Sequence, residues 1–273
     1  MSGEDAVVHP TAVVEPGARL AGGVRVGPGC VIGARVAVGP NTIFEANVFV
    51  GGWTTIGADN RFSPGVVLGT EPQDVGYKGE PTRIVIGDRN IFREYVTVHR
   101  ATAKEEGLTR IGDDNYFMAF SHVAHDCRIG DKTIFLHGGT LGGHVRVADG
   151  AVVGAMSAVH QFCRLGRLAF MGGGSMIVQD VIPFARVAGQ RPTRLLGLNV
   201  VGLRRNGYSR ERIAALKEMF RLLFFADLNT AQALARIEAE IPPSEDREEL
   251  VSFVRTSKRG IVKKAGSWDG DSE

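Results

Sequence analysis

The segment His122-Val123-Ala124-His125-Asp126-Cys127 places two imidazoles and a carboxylate within a few residues of one another. An imidazole titrates near neutral pH, so it can remove a proton from a hydroxyl or ligate a metal ion. A neighbouring carboxylate can orient the ring and stabilise its charge. A single histidine is most often a surface residue or a satisfied interior one, so the elements around this segment must decide what it does.

Those elements follow a period of six. Stepping by six from Val8 lands on Val14, Leu20, Val26, Ile32, Val38, Phe44, Val50, Ile56, Phe62 and Leu68, all apolar. Small or β-branched residues sit two positions earlier, as at Ala18, Val24, Cys30 and Thr42, and glycine often follows, as in Val26-Gly27 and Ile32-Gly33. The period pauses over 71–85 and resumes in phase at Ile86, Phe92 and Val98. A second pause over 101–110 shifts it by one, and it then runs from Ile111 to Ile177. Each hexapeptide supplies one short strand and one tight turn, with Gly, Asp or Asn taking the left-handed turn position. Three strands make a coil, and stacked coils share a core, so the spacing predicts a parallel β-helix.

After Pro183 the period ends. Ser209 can cap a helix carrying Ile213, Leu216, Phe220, Leu223 and Phe224; further helices are expected from Thr230 and Ser244, separated by Pro242-Pro243. The expected division is a β-helix over 1–190, with loops near 71–85 and 101–110, and an α-helical C-terminal cap domain over 191–273. Residues 261–273 read as a polar, mobile tail.

Composition narrows the setting. A formal charge of +2 makes no demand for nucleic acid. Cys30, Cys127 and Cys163 are odd in number and lack C-x-x-C spacing, which argues against a disulfide framework or a cysteine zinc site. The N-terminus lacks a basic-then-apolar signal, and no apolar run approaches the ~18 residues of a membrane span. A cytoplasmic protein is expected.

Folding the period into coils makes a map, because residues 18 apart lie on neighbouring coils, ~4.8 Å away. His125, Gly143 and Gln161 share a column, His144 lies one coil beyond Asp126, and His160 and His122 lie close by. Glycine at 143 leaves room above His125. His9, His99 and His137 are expected in other columns. Zinc would need three ligands converging at ~2.0–2.1 Å, which the spread over three coils disfavours. A general base is the better reading.

Longer motifs are more specific than the period. They include His9-Pro10-Thr11-Ala12, Gln73-Asp74 with Gly79-Glu80-Pro81-Thr82-Arg83, and Ile86-Gly87-Asp88-Arg89-Asn90. Arg93-Glu94, Val96-Thr97-Val98-His99-Arg100, Ala124-His125-Asp126-Cys127 and Gly143-His144-Val145 follow, then Ala158-Val159-His160-Gln161-Phe162 and Gln179-Asp180-Val181. Together they resemble the UDP-N-acetylglucosamine acyltransferases of lipid A biosynthesis over nearly the whole chain. The resemblance implies a left-handed β-helix and a homotrimer with active sites between the β-helices of neighbouring subunits. It also implies transfer of a (3R)-3-hydroxyacyl group from acyl carrier protein to the glucosamine 3-hydroxyl of UDP-N-acetylglucosamine, with no metal or cofactor. Carried over by position, His125 is the base, Asp126 its orienter and the Gly143 N–H the oxyanion donor. Gln73, Asp74, His122, His144, His160 and Gln161 bind acceptor or acyl group, Asn199 and Arg205 contact the nucleotide, and Gly173 bears on acyl length.

The chain departs from the family at Gly76, where a lysine is usual, and at Arg191, Val201 and Asn206, where a histidine, a glutamate and a basic residue are expected. These leave the nucleotide contacts open, and with them a 3-amino acceptor that would be N-acylated by the same base. A zinc site like that of γ-class carbonic anhydrases, which share the coil, is the more distant alternative. One feature is no family mark. Arg110, Arg128, Arg146 and Arg164 recur every 18 residues and should stack as a basic ladder. Asp113, Asp131 and Asp149 form an acidic column that could neutralise it, or the ladder could dock the acidic carrier protein.

Overall fold

The computed structural model describes residues 5–263. Its strands fall into three sheets that the chain visits in turn. Sheet 1 begins with Val7–Val8, sheet 2 with Val13–Val14 and sheet 3 with Arg19–Leu20, and pairing between successive coils is parallel. Val7 pairs with Arg25, 18 residues on. Across the loop of residues 71–82, Val67 pairs with Thr97, 30 on, so this coil carries twelve extra residues, or two hexapeptides. That is why the period keeps its phase there. Across the loop of residues 100–107, Thr97 pairs with His122, 25 on, an excess of seven that shifts the phase by one.

The inward residue of each strand builds the core. On sheet 1, Phe44, Phe62, Phe92, Phe117 and Phe135 are buried and stack with centroids 4.6 to 5.0 Å apart. Offset stacking adds to apolar burial worth about 1.5–3 kcal/mol per side chain. At the corner between sheets 3 and 1, buried Asn60, Asn90 and Asn115 each use Oδ1 to accept a backbone N–H from the next coil, at 2.7 to 2.9 Å. These bonds fix which coil follows which.

Sheet 1 continues past the expected boundary at residue 190. Ala185–Ala188 pairs with the coil and Arg194–Leu198 pairs antiparallel to it, closing that end. Helices α1 (Val200–Arg205), α2 (Arg210–Phe225), α3 (Thr230–Glu240) and α4 (Glu245–Arg255) follow. Ser209, Asn229 and Ser244 cap the last three through side-chain oxygens; α1 had no counterpart in the sequence reading. Arg167, in the turn after the last sheet 3 strand, donates to Asp246, Tyr208 and Glu249. Arg212 of α2 donates to both oxygens of Asp246, which is 4% exposed.

Two positions of the expected tail are packed. Ile261 and Val262 are buried in the apolar core, and the Val262 N–H donates to Asp180 O at 2.9 Å. Lys263 is exposed, with its carbonyl accepting the Leu195 N–H, and residues 264–273 lie outside the described residues. Among the described residues, no helix is long and apolar enough to cross a membrane.

Candidate active site

Both loops leave the coil at the corner between sheets 2 and 3, the corner that also bears His125. The 71–82 loop, the 100–107 loop, His125-Asp126, Gly143-His144 and Gln161 occupy five successive coils there. The interruptions of the period therefore form a wall of the site.

Asp126 takes the left-handed turn position, φ 61°, which its short polar side chain tolerates. Its Oδ2 accepts from His125 Nδ1 at 2.8 Å, from the Thr102 N–H at 3.0 Å and from Thr102 Oγ1 at 2.8 Å. Burial opposes charge on Asp126, but the bonds from His125 and Thr102 outweigh it and hold the carboxyl below its ordinary value. An ionised Asp126 accepts, so the hydrogen-bond network assigns the proton to His125 Nδ1 and leaves a lone pair on Nε2. That nitrogen can act as a base.

Gly143 fits as expected. A Cβ there would lie 2.4 Å from His125 Cε1, so glycine is required for the ring to occupy its place. The flanking N–H groups of Gly142 and His144 bond to Val159 O and His125 O. The Gly143 N–H donates to no acceptor among the described residues, so it is free for an oxyanion.

The histidines divide. His144 is buried, stacked on Phe162 at 4.5 Å and edge-on to His125 at 5.2 Å. Its Nε2 lies 3.6 Å from Asp126 Oδ2, and its Nδ1 lies 3.2 Å from Glu105 Oε1 without hydrogen-bond alignment. His122 Nδ1 meets Thr97 Oγ1 at 2.7 Å. His160 and Gln161 are exposed, and the His160 ring contacts the Gln161 carbonyl. His99, expected in another column, sits edge-on to His122 at 4.9 Å. The seven-residue excess of the 100–107 loop moved it there, invisibly to a count by eighteen. Burial, then the neighbouring His122 and His125, lower His99 to about 4, and burial with His125 also lowers His122. Both rings are neutral at pH 7.

The loops are tied together by Lys104, whose ammonium bonds Asp74 Oδ2 while the Gly76 N–H bonds Asp74 Oδ1. Lys104 bonding first, and the Gly76 N–H next, hold Asp74 below its usual carboxylate range. A cavity of about 160 Å³ lies here, lined by Asp74, Gly76, Tyr77, Glu80, Thr102, Ala103 and Lys104. Lys104 is thus a cation beside Gly76, in addition to Lys78 two residues on, and no period could have pointed to it. Arg100, 9% exposed, braces this loop through Tyr77 Oη and Glu71. Gln73 is exposed on it.

The cap residues are less convergent. Asn199 caps α1, with Oδ1 accepting the Gly202 N–H and Nδ2 donating to Leu168 O, so both ends of its amide serve the fold. An asparagine before Val200-Val201 was a capping signal in the sequence. Arg205, Val201 and Asn206 lie exposed in and just after α1, and Arg191 is exposed before the last strand. His137, Ala155 and Gly173 lie at the corner between sheets 1 and 2, one sheet away from His125. A Cβ at Gly173 would meet only Ala155 backbone, at 3.4 and 3.9 Å, so packing within the chain does not demand glycine there.

The arginine ladder is present, with Arg110, Arg128, Arg146 and Arg164 in register. The acidic column does not serve it. Asp113, Asp131 and Asp149 instead accept the N–H groups of Asp88, Asp113 and Asp131 at 2.8 to 2.9 Å, because these short side chains reach back across glycine turns. Arg164 is taken by the cap, bonding Asp180, Thr256 and Phe253 O.

His125, Asp126 and His144 bring potential ligand atoms within 4.8 Å of one another. Asp126 Oδ1 is buried without a partner among the described residues, but only two of the three are imidazoles and His125 Nδ1 is turned to Asp126 Oδ2, so this set fits a hydrogen-bonded base better than a three-histidine zinc site. Cys127 is fully buried with Sγ on Gly142 O, and burial pushes its thiol up to about 12, which excludes it as a nucleophile.

Known proteins resemble the chain over nearly its whole length. Residues 180–262 match a family model described as UDP-N-acetylglucosamine O-acyltransferase, domain 2. An acyl-[acyl-carrier-protein]–UDP-N-acetylglucosamine O-acyltransferase from Verminephrobacter eiseniae is 49% identical, covering 94% of this chain and 99% of that relative. One from Anaeromyxobacter is 47% identical with the same coverage. Among solved structures, the Acinetobacter baumannii LpxA superposes with TM-score 0.91 at 38% identity, covering 94% of this chain and all of that one. The Francisella novicida UDP-N-acetylglucosamine acyltransferase gives 0.92 at 35%, covering 95% of each chain. The coil is accordingly left-handed.

Proposed function

Because the chain belongs to the acyl-[acyl-carrier-protein]–UDP-N-acetylglucosamine O-acyltransferase family, we propose that its His125 corner catalyses acyl transfer to the 3-hydroxyl of UDP-N-acetylglucosamine, the first step of lipid A biosynthesis. The observation that carries this reading is the His125–Asp126 pair lying against a glycine with a free N–H.

His125 Nε2 removes the hydroxyl proton as the oxygen attacks the thioester carbonyl of a 3-hydroxyacyl carrier protein. A C–O bond forms, and the carbonyl oxygen gathers negative charge. The Gly143 N–H meets that charge, worth several kcal/mol in a water-poor site. Collapse breaks the C–S bond, and the imidazolium returns its proton to the departing thiolate. Asp126, held by Thr102, keeps the ring in one tautomer and steadies its charge throughout. No step needs a metal or an organic cofactor.

A homotrimer suits the surface. Tyr95, Phe120 and Met156 stand 57%, 56% and 70% exposed along the corner between sheets 1 and 2, the corner that holds Gly173. A neighbouring protomer covering that ridge would bring a Gly173 corner to a His125 corner and make one acyl groove from two chains.

The reading is tested by assaying the protein with UDP-N-acetylglucosamine and its 3-amino analogue against 3-hydroxyacyl carrier proteins of several lengths. Transfer to the hydroxyl acceptor is expected. Transfer to the amino sugar alone, or to neither, rules it out. A smaller change probes the corner itself. Gly143→Ala is expected to lower kcat about 10²-fold by displacing the His125 ring, with little change in the thermal midpoint. Unaltered kcat would show that the ring does not depend on the space at residue 143.

A further inference from the structure

The ladder of arginines on sheet 3 has open charge where the fold should have cancelled it. Arg110, Arg128 and Arg146 occupy consecutive rungs of the outer face, and the coil spacing sets them ~5 Å apart. Like charges so close repel unless anions attend them. Arg110 and Arg146 are exposed and have no partner among the described residues. The carboxylates three residues beyond the rungs, Asp113, Asp131 and Asp149, are turned toward backbone N–H groups, and Asp126, two residues before Arg128, is turned to His125 and Thr102. The middle rung has one anion, Glu106, at 2.8 Å from Arg128 Nη2, and that glutamate is itself 73% exposed.

Position gives the ladder its meaning. Arg128 follows Asp126 by two residues, so the rungs begin where the catalytic turn ends. The loop that lends Glu106 to Arg128 also places Thr102 on Asp126 and Glu105 beside His144. The apolar ridge suited to a neighbouring protomer lies at the corner between sheets 1 and 2, and in the proposed trimer the next protomer's ridge meets this chain at the His125 corner, on the edge of the ladder's sheet. A polar, cationic surface beside the site, with a displaceable glutamate over its centre, fits a charged protein that delivers its cargo next to the base.

We propose that Arg110, Arg128 and Arg146 form the docking surface for an acidic acyl carrier protein, whose carboxylates replace Glu106 on Arg128. This rests on the acyl-transfer reading above. Steering by opposite charge raises the rate of encounter and is screened by salt.

The test compares two donors carrying the same acyl group, the carrier-protein thioester and the free pantetheine thioester. Arg110→Ser with Arg146→Ser is expected to raise KM for the protein-borne donor about tenfold and to flatten its salt dependence. The loss should be confined to that donor. Glu106→Gln should act in the opposite sense and lower that KM, because it uncovers Arg128. The proposal is overturned if the double variant leaves the protein-borne donor unchanged, if both donors lose alike, or if the Glu106 variant behaves like the arginine losses. A rise confined to KM for the UDP-sugar would assign the arginines to the nucleotide phosphates and overturn it too. If the unaltered enzyme accepts neither donor, acyl transfer itself fails, and the ladder with it. That result is distinct from a failure of docking alone.

Discussion

His125→Ala is expected to remove nearly all turnover while the protein still folds and binds UDP-N-acetylglucosamine. A positioned general base contributes typically 10²–10⁴-fold, and here the same ring also returns the proton to the leaving thiolate, so a loss of at least about 10³-fold is anticipated. The interior should not notice. The ring is mostly buried, with its side chain 11% exposed, but its removal leaves Asp126 bonded to both Thr102 donors. Steady-state turnover, acceptor binding by calorimetry and a thermal melt separate these outcomes. Substantial turnover with intact binding would assign the base elsewhere, with His122 the next ring to examine.

The second large effect concerns the joint between coil and cap. Asp246 is a buried carboxylate accepting from Arg167, Tyr208 and Arg212, and Arg167 also holds Glu249. Burial works against the Arg167 charge, and bonds to Glu249 and Asp246 help overcome it and raise its pKa. Removing one partner of such a network leaves uncompensated charge, at a cost of about 3–5 kcal/mol. Asp246→Ala should therefore lower the amide-exchange protection of α2, α3 and α4 by two to three orders of magnitude, while the coil keeps its protection. Equal protection in the variant would mean that apolar packing alone seats the cap.

The coil was legible because its inward position is the same in every hexapeptide. Phe44 through Phe135 announce one face by spacing alone, and the Ser209 and Ser244 caps announce helices. His125, Asp126 and Gly143 were legible too, since they lie in uninterrupted coils where a count by eighteen is true geometry. The count failed where the chain added residues. His99 was misplaced by the seven-residue excess, and Thr102, Lys104, Glu105 and Glu106 lie in a loop with no period to read. The acidic column was misjudged for another reason. Spacing shows which side chains are neighbours, but not whether an aspartate prefers an arginine or the backbone N–H one coil back. Nor does it show that Asp180 and Phe253 claim Arg164.

The stacked phenylalanines have a consequence for how disturbance spreads. A solenoid is a linear array in which each coil is coupled only to the next, so fraying that begins at an end must work inward one coil at a time. The open end here is thinly packed, with Val7 and Val13 more than half exposed. Between that end and His125 stand the rings of Phe44, Phe62 and Phe92, each closed against its neighbour. The N-terminal coils can breathe without the catalytic corner sensing it, as a rope can fray at its tip while a knot farther along stays tight.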